Sequence, residues 1–95
     1  LNIPDKVKVG YKEYEVQMEK HLDDETNLLY GCCYYEEETI KLCTKYTENQ
    51  QKCTLVHELV HAIDNMNDIG LTEDQVVKLG KGLYQLIKDN PNMFD

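Results

Sequence analysis

Val7, Val9 and Tyr11 alternate with Lys6, Lys8, Gly10 and Lys12, a period of two that predicts a β-strand. Tyr14, Val16 and Met18 then alternate with Glu13, Glu15, Gln17 and Glu19 in the same way. The two runs make either a hairpin turning at Lys12-Glu13 or one bent strand. Residues 21–27 (HLDDETN) are polar and acidic and predict a loop. Asp23, Asp24 and Glu25 lack the spacing of a calcium loop, and His21 has no partner at ligand spacing. Residues 28–35 are rich in aromatic and small apolar side chains and predict a further strand. Three glutamates interrupt it at 36–38, and residues 39–43 resume the alternation. A hairpin with Glu37-Glu38 at its tip sets Tyr35 opposite Ile40 and Cys33 opposite Leu42, all four on the core face. Cys32 then faces Cys43 on the other side.

The period lengthens after Thr47. Thr47-Glu48-Asn49-Gln50 has the form of a capping box, a hydroxyl followed three residues on by a side chain that can return its hydrogen bond. The helix it opens runs to about residues 65–67, and Asn67-Asp68-Ile69-Gly70 reads as a turn. Thr72-Glu73-Asp74-Gln75 is a second capping box, and Asn90-Pro91 stops the helix it opens. Val76, Val77, Leu79, Leu83, Tyr84, Leu86 and Ile87 supply that helix with apolar positions. Gly80 and Gly82 lie among them, each costing about 1 kcal/mol relative to Ala in a helix. Close approach of the preceding helix is the reason to expect a glycine at 80.

Ninety-five residues predict one domain, spanning 1–95, with a modest core. No apolar run approaches the roughly 18 residues a membrane helix needs. The formal net charge of −8 argues against binding nucleic-acid phosphates or anionic membranes. Cys32, Cys33, Cys43 and Cys53 include no C-x-x-C pair, which argues against a zinc knuckle. No secretory signal is read, so the expectation is a cytoplasmic protein with reduced thiols. A Cys32–Cys43 bridge would be the expectation only in an oxidising compartment.

The candidate chemistry lies in His57-Glu58-Leu59-Val60-His61, an H-E-x-x-H pentapeptide on the first helix. Positions four apart share a helix face about 6 Å apart along the axis, so both imidazoles can reach one zinc ion. Glu58 stands beside them, placed to act as general base on a zinc-bound water. That is the minimal apparatus of a zinc metallopeptidase.

A catalytic zinc usually takes a third protein ligand. Asp64 falls one residue short of a full turn beyond His61 and is better suited to supporting a neighbour than to binding the ion. Asp68, in the turn, is a candidate. Glu73 and Asp74 separate by helical phase. Glu73 shares a stripe with Val76, Val77, Gly80, Leu83, Tyr84 and Ile87, which must face the interior. Asp74 shares a face with Lys78 and Lys81, a solvent face. Glu73 is therefore the preferred third ligand, brought back toward His61 by a short antiparallel turn. Cys53, one helical turn before His57, is a conceivable fourth ligand that would crowd the ion.

The segments LYGCCYYEEETIKL, TLVHELVHAI and LTEDQVVKLGKGLYQLIKDNP, about residues 29–91, resemble the gluzincin metallopeptidases. The resemblance is nearest to the small phage and bacterial ImmA/IrrE-like and minimal-gluzincin proteins. It implies an α+β fold, with about three antiparallel strands packed on the HExxH helix and a second, C-terminal helix. It also implies Zn2+ as cofactor, His57, His61 and Glu73 as metal ligands, Glu58 as catalytic base and a peptide or protein substrate. Residues 39–42 would match the strand that pairs with an extended substrate in this family. Larger members carry extra domains that build the cleft, and the resemblance finds no such domain within these 95 residues. The Tyr or His that usually stabilises the oxyanion has no clear match. Tyr84 lies eleven residues past Glu73, about 16 Å along one helix, and Tyr30, Tyr34, Tyr35 and Tyr46 stay open. Two other readings are a regulatory zincin of a phage or mobile element acting on one partner protein, and a non-catalytic domain with structural zinc.

Overall fold

The computed structural model describes residues 1–22 and 29–94. The expected acidic loop, apart from its first two residues, and the first residue of the third strand lie outside that range. The described residues form strands β1 (Lys6–Val9), β2 (Lys12–Glu19), β3 (Gly31–Tyr34) and β4 (Thr39–Cys43) and helices α1 (Glu48–Asn67) and α2 (Glu73–Asp89). The fold is α+β: one four-stranded sheet followed by two packed helices, with α1 against the sheet.

The first two strands are a hairpin, not one bent strand. Val9 pairs with Lys12, so the chain turns at Gly10-Tyr11, two residues before the expected point. The strand order β1-β2-β4-β3 makes the sheet mixed and one strand larger than the expected antiparallel three. β2 and β4 run parallel, with Val16 beside Ile40 and Met18 beside Leu42. β4 thus fills the middle of the sheet, and its apolar residues reach full burial, Ile40 and Leu42 both at 0% exposure. Each contributes about 1.5–3 kcal/mol by leaving water.

The β3–β4 hairpin has a four-residue loop rather than a two-residue tip. Tyr35, Glu36, Glu37 and Glu38 form it, and the Glu38 N–H donates to the Tyr35 carbonyl at 3.3 Å. The register therefore moves by two residues: Cys33 pairs with Ile40 and Gly31 with Leu42. A shift of two keeps every side chain on its face, so Cys33, Ile40 and Leu42 still share one side. Tyr35 leaves the ladder and lies half-buried in the loop. Cys32 faces Lys41, while the Cys43 N–H donates to Tyr30. The expected Cys32–Cys43 opposition is absent, and all four thiols are free.

Thr47 caps α1 by accepting from the Gln50 N–H at 3.1 Å. Gln50 does not complete the box; its amide donates instead to Thr54 at 3.1 Å. Thr72 and Gln75 form the full reciprocal box at the start of α2. Between the helices, one Asp64 oxygen accepts the Gly70 N–H at 2.7 Å and the Leu71 N–H at 3.1 Å. Asp68 closes α1 in a left-handed conformation, φ +51°, its N–H on the Asp64 carbonyl. Asp64 and Asp68 are thus occupied in reversing the chain.

α2 packs on α1 through Val76, Gly80 and Tyr84, all buried. Leu79 and Leu86, also in its apolar pattern, are exposed. Tyr84 donates to Asn49 near the far end of α1. A side-chain carbon at Gly80 would sit 3.2 Å from the Cα of His57 and 3.6 Å from its Cβ and N. A similar constraint holds at Gly31, where an added carbon would meet Thr54 of α1 at 2.6 Å. Glycine at these positions lets both β3 and α2 come up to α1 beside the HExxH turn. Gly80→Val should destabilise the protein by about 1–3 kcal/mol through overpacking against backbone. Gly82→Ala, where nothing lies within 4 Å, should stabilise it by about 0.5–1 kcal/mol. Urea unfolding of both variants checks the pair.

Candidate metal centre

α1 presents His57 and His61 one turn apart, their ring centroids 5.0 Å from each other and their planes at 71°. Ligand atoms of His57, Glu58 and His61 all lie within 4.8 Å of one another, a group able to hold a metal ion. Glu73, the first residue of α2, reaches across. Its Oε1 lies 3.3 Å from His57 Nε2 and its Oε2 3.1 Å from His61 Nε2. Ligands about 2.0–2.1 Å from a tetrahedral ion stand about 3.3 Å from one another. Each nitrogen–oxygen separation is close to that spacing, with a different Glu73 oxygen facing each histidine, and two imidazoles with a carboxylate are donors that zinc accepts. The Glu73 carboxylate is 66% exposed, so the group opens to solvent.

Glu58 differs sharply from Glu73. It is buried, with 6% exposure. Burial first, and the Glu73 charge second, push its carboxyl up to about 7. His57 is held below its ordinary value, chiefly by burial and then by the charge of His61, with Glu73 pulling the other way. The phenol of Tyr35 is raised by burial and by nearby acidic groups, Cys33 first and then Asp64, Glu58 and Glu73. It remains a protonated hydrogen-bond donor at neutral pH. Burial likewise pushes the Cys33 thiol up to about 12, which keeps it out of thiolate chemistry.

Two cavities flank the group. One, of about 330 Å³, is lined by Cys32, Cys33 and Tyr35 together with His57, Glu58, His61 and Glu73. The other, of about 410 Å³, runs from His57, Glu58 and Glu73 between the start of β3 and the two helices. Cys53 lines the second cavity but is not among the grouped ligand atoms. Asp74 pairs with Lys78 at 3.0 Å on the solvent side, as helical phase predicts. Tyr84 lies away from the group. Among the tyrosines left open by the sequence, Tyr30 stacks on Tyr46 with centroids 4.3 Å apart, and Lys41 sits over the Tyr34 ring. Tyr35 alone of these four lines the cavity that holds both histidines. Its half-buried place in the hairpin loop was not readable, because the expected register put it in the strand.

The strand beside the site also differs from expectation. β4 has neighbours on both sides and offers no free edge. The sheet edges are β1 and β3, and β3 is the one beside the site. Tyr30 and Cys43 are a hydrogen-bonded pair, so the alternation turns the N–H and C=O groups of Gly31 and Cys33 away from β4.

No family model matches the chain, and no curated protein or solved structure matches it. The molecule itself defines an α+β protein with a His57-Glu58-His61 triad at HExxH spacing, a group that can bind metal. No described helix is long and apolar enough to cross a membrane.

In the metal-free protein, the folded state holds the Glu58 proton more tightly than the unfolded chain, whose carboxyl titrates near 4.5. Stability should therefore fall as pH rises from about 4.5 to about 7, by roughly 3 kcal/mol from this group. His57 acts with the opposite sign below 6.5, since the unfolded chain binds its proton more readily. Urea unfolding of metal-free wild type and Glu58→Gln across that range isolates the Glu58 contribution as the difference between the two slopes.

Proposed function

We propose that this protein is a zinc-dependent metallopeptidase of the gluzincin kind, with His57, His61 and Glu73 as metal ligands and Glu58 as general base. One observation carries the reading. Glu73, on a separate helix, directs one carboxylate oxygen to each histidine Nε2, while the neighbouring Glu58 stays buried beside the group. Surface histidines have no need of a buried acid between them, and burying one without a task is costly.

When bound, zinc supplies Lewis acidity, making water more acidic and a carbonyl more electrophilic. The residues do the rest. His57 and His61 fix the position from one rigid helix, and Glu73 adds the negative charge that neutralises half of the ion's. Glu58 accepts a proton from the attacking water and returns it to the leaving amine. Tyr35, lining the same cavity as a protonated phenol, donates toward the carbonyl oxygen as it gains charge. An extended peptide adds to the sheet along the outward backbone groups of Gly31 and Cys33.

Native mass spectrometry should find one zinc per chain in the wild type, and Glu73→Ala should weaken zinc binding by about 10²-fold or more. Zinc unaffected by that change would remove Glu73 from the ligand set, and none in the wild type would end the reading. Glu58→Gln should keep its zinc and lose about 10²–10⁴-fold in peptide hydrolysis. Tyr35→Phe should also keep zinc while kcat falls by about 10²-fold. Full activity in Glu58→Gln would show that the base lies elsewhere.

A further inference from the structure

The 410 Å³ cavity beside the metal centre has a composition the proposed chemistry does not explain. Leu29, Tyr30, Cys53 and Val77 give it a largely apolar wall, with Gln50, Thr54 and Lys81 as polar members away from the centre. Among the described residues, Lys81 is the only basic side chain on that wall besides His57. It stands two helical turns past Glu73, about 12 Å along α2, so it marks the end of the cavity remote from that ligand. Among the described residues no carboxylate lies within ion-pair distance of Lys81, whereas Lys52 and Lys78 each pair within their own helix. The chain carries a net charge of −8, and Glu58 and Glu73 face the near end.

Resting on the metallopeptidase reading, we infer that this cavity receives a substrate residue with an apolar stem and a carboxylate, which Lys81 recognises. Lys81 is exposed, so a wholly apolar occupant gains nothing from its ammonium group. A basic occupant would meet Lys81 directly. An acidic one gains a partner in Lys81 at the far end, while a bound zinc ion offsets the charges of Glu58 and Glu73 at the near end. Lys81 thus gives the cavity a defined partner for negative charge at the end remote from the metal centre.

The carboxylate has two sources. It is either the side chain of a glutamate beside the scissile bond or the terminal carboxylate of the substrate chain. Two extended residues span about 7 Å, so a chain ending one or two residues past the bond brings its terminus into the cavity. The flexible stem of Lys81 serves both cases.

The test uses four hydroxamates, which bind through zinc and require no turnover. Three carry norleucine, glutamate or lysine next to the hydroxamate with an amidated end, and the fourth carries norleucine with a free terminal carboxylate. Calorimetry at low salt on the zinc-loaded protein reads the affinities. At least one carboxylate probe should bind about fivefold tighter than the amidated norleucine probe, the lysine probe more weakly, and the gain should shrink at high salt. A gain for the glutamate probe assigns the side-chain source; a gain for the free acid assigns the chain terminus. Lys81→Met, checked for an unchanged zinc content, should abolish the gain. Equal affinities for carboxylate and norleucine probes with zinc bound, or a gain that survives Lys81→Met, would overturn the inference and leave the metal centre standing. Failure of the wild type to retain zinc would remove the metallopeptidase reading and this inference together.

Discussion

The close contact between α1 and α2 at Gly80 governs the rest of the site. With no side chain there, α2 rests against the backbone of His57 itself. That contact fixes how far the start of α2 stands from α1, and therefore where Glu73 can reach. Asp64 secures the same geometry from the other end by accepting two backbone N–H groups of the connecting turn. A helix pair held at both ends in this way positions three donor groups by rigid elements rather than loops, the condition for a preorganised centre.

The sheet contributes a different constraint. Gly31 allows β3 to approach Thr54 on α1, which brings the free edge beside the HExxH turn. β4, the most deeply buried strand, makes the core, while the shorter β3 is left at the margin with part of its backbone unpaired. Stability and accessibility are thus divided between the two strands of one hairpin. The cavities on either side of the centre exist because β3 runs past the helices at that margin.

What the sequence made legible was short in range. The HExxH spacing, both N-caps and the helix ends depend on residues within a few positions of one another. Glu73 could be told from Asp74 because helical phase ties it to Val76, Val77 and Gly80, and its carboxylate does lie against both histidines. Gly80 was readable for the same reason. The failures were long in range or turned on a loop. A four-residue rather than two-residue connection moved the β3–β4 register and carried Tyr35 out of the strand. The parallel pairing of β2 with β4 joins residues more than twenty apart, and no local pattern encodes it. Leu79 and Leu86 fit an apolar period yet lie outside, because α2 has only one neighbouring helix to cover it. The wall of the larger cavity draws on three separate segments, so it could not be read from any one of them.

The three consecutive glutamates at 36–38 acquire a meaning from the position of β3. A short strand with an open margin is a template on which another copy could stack, and chains with such margins tend to aggregate. Here the loop that leaves the strand carries three negative charges, one of them, Glu38, anchored by the Glu13 N–H at 2.8 Å. A second copy stacking in parallel along that margin would bring the two acidic loops together. The acidic hairpin loop therefore disfavours that parallel stacking through like-charge repulsion, which a chain without the same charge would not meet.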